Sequence, residues 1–199
     1  MDHTQVPQWP SLDQGVVASL PEGWLSEGCL LFLHGPMSSG KSALAIKLAQ
    51  DLSTTFRVRT FSAGKVERTK IASRDGQRVP AEWLSPTTQI PSAELIAEKS
   101  VIVIDEAQFL TRSQVMELQS LSLRHSLAVI CVGLAWSAEG KIFAGAAALL
   151  LCGALTRPIP HDLVCWCGAR AVADAFATRS ETTHRYISVC LNHATISES

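Results

Sequence analysis

Three runs of uninterrupted apolar residues recur along the chain: Cys29–Leu33, Val101–Ile104 and Leu127–Val132. Strands with no polar alternation are covered on both faces, as they are inside a parallel sheet. Val58–Phe61 reads as a shorter strand of the same kind. Between these runs the period changes. Leu44, Ile46, Leu48 and Leu52 recur at roughly helical spacing within residues 42–52. Thr111 is a suitable N-cap for a helix running to Arg124, with Val115, Leu118, Leu121 and Ser122 towards one side. Strands alternating with helices predict an α/β domain built on a mostly parallel sheet.

The remaining stretches set the boundaries. Residues 1–27 hold Pro7, Pro10, Pro21 and two tryptophans without a clear period, and read as an irregular extension. Residues 62–91 are polar and broken by Gly64, Gly76, Pro80, Pro86 and Pro91, so a long loop is expected there. Arg157-Pro158-Ile159-Pro160 marks a break, which divides the chain into an extension (1–27), a main domain (28–160) and a small terminal unit (161–199). The 14-residue apolar run Ile142–Leu155 is too short to span a bilayer. Met1-Asp2-His3-Thr4 opens neither a basic nor an apolar targeting segment. With 17 basic residues against 18 acidic ones, there is no electrostatic footprint for nucleic acid or a membrane surface. A cytoplasmic protein is expected, and 47% hydrophobic residues supply it with a core.

Gly35-Pro36-Met37-Ser38-Ser39-Gly40-Lys41-Ser42 matches G-x-x-x-x-G-K-[ST] between an expected strand and an expected helix. Such a loop curls its amides around phosphate oxygens, the lysine reaches the outer phosphates, and the serine hydroxyl faces Mg²⁺. Asp105 and Glu106 close the strand Val101–Ile104. Two adjacent carboxylates there are costly to bury. Asp105 suits a Mg²⁺ ligand and Glu106 a base, the alternative being a pair that merely caps the next loop. Together these features predict a P-loop ATPase or phosphotransferase using ATP.

Of six cysteines, Cys29, Cys131 and Cys152 stand singly among apolar residues and read as core. Cys165-Trp166-Cys167-Gly168 and Cys190-Leu191-Asn192-His193 instead present two pairs of metal-ligating groups, a Cys₃His set suited to structural Zn²⁺. The 22 residues between Cys167 and Cys190 suit two strands and a loop. The alternative is a metal-free hairpin with buried cysteines.

Three segments together resemble the type II thymidine kinases, a family that joins a P-loop core to a zinc-binding lasso. They are Gly35–Ser42 with its Pro36-Met37 pair, Asp105-Glu106-Ala107-Gln108-Phe109, and Tyr186-Ile187-Ser188-Val189-Cys190 followed by His193. Ser73-Arg74-Asp75-Gly76 and Gly133-Leu134 are weaker echoes. The resemblance implies a P-loop NTPase-type sheet with a zinc-ribbon-like C-terminal unit, and phosphorylation of a deoxynucleoside, thymidine first, at its 5′-hydroxyl. It implies that Lys41, Ser42 and Arg68 attend the phosphates, and that Glu106 activates the hydroxyl. Met37, Phe109, Leu134, Phe143 and Tyr186 match positions around the base. It further implies a homo-oligomer, a tetramer in the family.

The chain also departs from the family. Val66 stands where an aspartate is usual, Ser38 where the loop has phenylalanine, and Ala135-Trp136-Ser137-Ala138 where two acids and a phenylalanine are expected. Thr182-Thr183-His184-Arg185 replaces a Gly-Gly stretch, and the lasso reads several residues short. Two other readings therefore stand beside thymidine kinase: a P-loop ATPase or kinase with another acceptor, and a non-catalytic nucleotide-binding module.

Overall fold

A computed structural model describes Gly23, Leu25, residues 28–176 and residues 186–194. The expected extension lies largely outside these residues, and so does the 182–185 departure with the length of the lasso loop. Six parallel strands form one sheet in the order β5-β2-β6-β7-β1-β8. They are β1 (Cys29–His34), β2 (Val58–Ser62), β5 (Glu82–Trp83), β6 (Val101–Asp105), β7 (Ala128–Gly133) and β8 (Leu155–Pro158). The uninterrupted apolar runs are the central strands, as burial on both faces requires. Phe32, Phe61, Ile104 and Cys131 face one core, while Leu31, Leu33, Val103 and Ile130 face the other.

Helix α1 (Lys41–Ser53) covers the second face through Ala45, Ile46, Leu48 and Leu52. The other face is covered by α2 (Ser92–Glu98), α3 (Arg112–His125) and α4 (Ala144–Leu151). Thr111 caps α3 as expected: its side chain accepts from Gln114 N–H, and the Gln114 side chain answers with a bond to Thr111 N–H.

The expected loop over 62–91 is partly structured. It contains the antiparallel pair β3 (Lys70–Ala72) and β4 (Arg78–Pro80), whose Ile71 is buried beside α1, and then the edge strand β5. The three-residue strands were too short to leave a pattern. The apolar run from Ile142 divides into α4 and β8, and β8 pairs with β1. No helix among the described residues is long and apolar enough to cross a membrane.

Beyond β8, strands β9 (Ala173–Phe176) and β10 (Tyr186–Val189) form an antiparallel pair, followed by the short helix α5 (Leu191–Ala194). Cys165, Ala173, Ala175, Val189, Cys190 and Ala194 make a small separate core. Trp136 packs against both this cluster and the main core, so one of the departures at 135–138 joins the two.

Candidate active site

The phosphate-type loop follows β1 at the C-terminal edge of the sheet, where β6 and β7 also end and where ligands of open parallel sheets bind. Ser38 (φ 65°) and Gly40 (φ 80°) adopt left-handed backbone, which curls the loop. No side chain caps α1 and no acid lies in its first turn, leaving the amides at its head to an anion. Lys41 folds back over the loop, Nζ donating to Pro36 O at 2.6 Å. Burial lowers its amine below the ordinary lysine range, opposed by attraction from Asp174, Glu106 and Asp105. Ser39 Oγ is buried and is the one such side-chain oxygen or nitrogen among the described residues without a hydrogen-bond partner. A curled loop with an uncapped helix and an unmatched hydroxyl fits a polyphosphate.

Ser42 Oγ donates to Asp105 Oδ2 at 2.9 Å, joining the start of α1 to the end of β6. Burial, with the Glu106 charge beside it, pushes the Asp105 carboxyl up to about 6, while the Ser42 hydroxyl acts the other way. A hydroxyl bonded to a buried carboxylate beside a phosphate loop fits Mg²⁺. Glu106 sits at φ 59°, strained backbone for a residue with a side chain, and turns the chain out of β6 into the 3₁₀ turn Ala107–Phe109. Its carboxylate is gripped by Gln108, whose Nε2 donates to Glu106 Oε2 at 2.5 Å. The other end of the same amide, Oε1, accepts from Leu134 N–H at 3.0 Å. A Cβ at Gly133 would lie 2.5 Å from Gln108 Oε1, so the end of β7 needs glycine there.

The structure brings most of the expected base-site residues to this edge. Phe109 and Phe143 meet edge-on, with ring centres 5.7 Å apart, and Lys65 Nζ lies 5.2 Å from the Phe109 ring centre. Leu134 is tied to Gln108 through its amide, and Tyr186 opens β10. Arg68 is different: it is exposed and makes no hydrogen bond or ion pair among the described residues. The arginine that reaches the loop is Arg74, from the turn between β3 and β4, whose Nη1 donates to Ser38 Oγ at 2.7 Å.

The C-terminal hairpin also touches the loop. Asp174 on β9 accepts from Met37 N–H at 2.7 Å, and Ser188, opposite it on β10, lies 3.2 Å from Asp174 Oδ1 and 3.3 Å from Met37 O. Cys165, Cys167, Cys190 and His193 come together at the end of this hairpin, their ligand atoms within 4.8 Å of one another. Cys167 and Cys190 sulfurs are 3.8 Å apart. That matches a tetrahedron edge of ~3.8 Å for Zn–S bonds of about 2.3 Å. Cys165 Sγ and Cys190 Sγ lie 3.1 and 3.5 Å from His193 Nδ1. Burial raises the Cys165 thiol, but the backbone N–H groups of Cys167 and Cys190 and the His193 ring outweigh it and draw it down to about 6. Trp166 stacks on the His193 imidazole at 4.4 Å and holds its plane. Three sulfurs and one ring nitrogen at these separations fit a structural zinc ion.

The thymidine kinase family model matches residues 28–194, the main sheet and the terminal hairpin together. The chain belongs to the thymidine kinase family. The thymidine kinase of Novosphingobium aromaticivorans is 29% identical over 185 residues, covering 82% of this chain and 95% of its own. That of Shigella dysenteriae is 28% identical, covering 82% and 89%. The thymidine kinase of Encephalitozoon cuniculi is 28% identical over 148 residues, covering 71% of this chain and 68% of its own.

Within this thymidine kinase-like phosphotransferase, sequence reasoning missed the Asp174–Met37 contact, which spans 137 positions and has no motif. It also gave Gln108 no role of its own beyond the motif. Arg74 had a trace, the Ser73–Gly76 echo, but no assigned partner.

Proposed function

We propose that the chain transfers the γ-phosphate of ATP to the 5′-hydroxyl of a deoxynucleoside, with thymidine the first acceptor. The observation that carries this reading is the continuous line Ser42–Asp105–Glu106–Gln108–Leu134, which runs from the phosphate loop to the expected base site. Relatives named thymidine kinase support a nucleoside as acceptor.

In this reading Gly35–Ser42 cradles the phosphates through backbone amides, and Lys41 offsets charge on the transferred group. Ser42 and Asp105 hold Mg²⁺, which when bound neutralises phosphate charge. Glu106 accepts the proton of the 5′-hydroxyl, oriented by the Gln108 amide. Met37, Phe109, Leu134, Phe143 and Tyr186 line the base site. Arg74 is better placed than Arg68 to serve the phosphates, because it already reaches Ser38. Residues 28–160 and 161–199 are the two working units, and Cys165, Cys167, Cys190 and His193 hold structural zinc in the second. The same reading includes assembly as a homo-oligomer.

A second reading, a kinase with another acceptor, is favoured by residues 135–138. Ala135 and Ser137 stand where the family has acids and Ala138 where it has a phenylalanine, and Val66 replaces a further aspartate, so the usual aromatic wall is absent at Ala138. Grip on thymine is accordingly weaker than in typical relatives.

Glu106→Gln keeps the shape of the side chain and removes the proton acceptor. The expected result is a kcat lower by ~10²–10⁴-fold with nucleotide affinity retained. Loss of ATP binding with kcat unchanged would contradict the assignment.

A further inference from the structure

Both backbone polar groups of Met37 are engaged by the C-terminal hairpin: the N–H by Asp174 and the C=O by Ser188. The two side chains come from directly opposite positions of β9 and β10, so they face the loop as a pair. Asp174 is 3% exposed, and a carboxylate is costly to bury at a contact that apolar residues serve more cheaply. What such a pair gives instead is orientation. The Met37 N–H lies in the peptide before its Cα and the Met37 C=O in the peptide after it. Holding both restrains rotation of the two planes that flank Met37 and thereby fixes the direction of its side chain. Ser38, in left-handed backbone, is held from the other side by Arg74. The loop is therefore fixed from two flanks, and one flank belongs to the unit that carries the Cys₃His cluster. Ser188 lies two residues before Cys190, on the strand that the cluster anchors.

We infer that Asp174 and Ser188 are positioning residues that clasp the backbone on both sides of the Met37 Cα and set the acceptor side of the phosphate loop, making nucleoside binding depend on the metal-bearing hairpin. This rests on the nucleoside kinase reading above. Within the loop Gly35–Ser42 the clasp occupies the Met37 N–H and leaves untouched the phosphate contacts of Gly40, Lys41 and Ser42 at the head of α1. Asp174 also attracts the Lys41 amine, an effect that Asp174→Asn removes while keeping the clasp's acceptor. Loss of the clasp therefore falls on the nucleoside and leaves ATP binding largely in place.

The test is steady-state kinetics with thymidine and ATP for the wild-type chain, Asp174→Ala, Asp174→Asn and Ser188→Ala, with zinc content measured on each. Removing one buried hydrogen-bond partner raises the nucleoside KM by about tenfold in Asp174→Ala, with the ATP KM within about twofold of wild type and zinc retained. Asp174→Asn keeps an oxygen for the Met37 N–H and recovers most of the loss. Zinc removal from the wild-type chain reproduces the Asp174→Ala pattern. Equal rises in both KM values, or no recovery in Asp174→Asn, would make Asp174 a general structural anchor and overturn the inference. A wild-type chain that phosphorylates no nucleoside would overturn the functional reading itself, whereas an active wild type with unchanged KM in Asp174→Ala would overturn the clasp alone.

Discussion

Asp105 shows how one residue's environment becomes a measurable property. Burial and the Glu106 charge lift its carboxyl from 3.8 to about 6. Between those values the native state holds a proton that the unfolded chain has released, so native stability falls as pH rises through that window. Urea unfolding in the absence of divalent cations is expected to show this slope, and Asp105→Asn to flatten it. Lys41 carries a separate prediction. It balances charge from Asp174, Glu106 and Asp105 but contributes little apolar packing, so Lys41→Ala should abolish phosphoryl transfer with a native circular dichroism spectrum. The motif residues were legible one by one because their spacing is a short-range property of the chain. Arg74 and Asp174 were not, since what gives each its importance is a partner brought close only by folding.

At the scale of elements, legibility followed burial. Strands β1, β6 and β7 are covered on both faces, and their sequences are correspondingly unbroken. Helix α3 shows its face because one side is solvated. Helix α4, AGAAALLL, is apolar all round and merges with β8 into one run, so no period separates them; Leu151 at its end is 89% exposed. Its composition has a steric reason. Gly145 lies against the turn that carries Gln108 and Phe109, and a Cβ there would come within 2.6 Å of Ala107 O and 2.8 Å of Gln108 O. Those are backbone atoms with little room to give. Gly145→Ala is therefore expected to cost ~1–3 kcal/mol, measured by chemical unfolding, and to lower kcat by displacing Gln108 from Glu106.

On the scale of the whole molecule, the C-terminal hairpin has a small core of its own and meets the phosphate loop through Asp174 and Ser188. Among the described residues its apolar core is Cys165, Ala173, Ala175, Val189, Cys190 and Ala194, all small or metal-ligating apart from Val189, and so small a core needs a staple. Protein purified without chelator should carry one zinc per chain, and Cys190→Ser should release it and lower the stability of the hairpin before that of the main sheet. Elemental analysis showing no zinc would refute the metal assignment. The central claim is that ATP turnover belongs to a nucleoside acceptor, and a panel of nucleosides with γ-labelled ATP tests it most directly. The label should appear in the monophosphates of thymidine and, close behind it, deoxyuridine analogues, and in none of the purine nucleosides. The rates should be low, because Ala138 stands where the usual aromatic wall is expected. Release of labelled phosphate at the same rate with and without nucleoside, or no transfer to any of them, would contradict it.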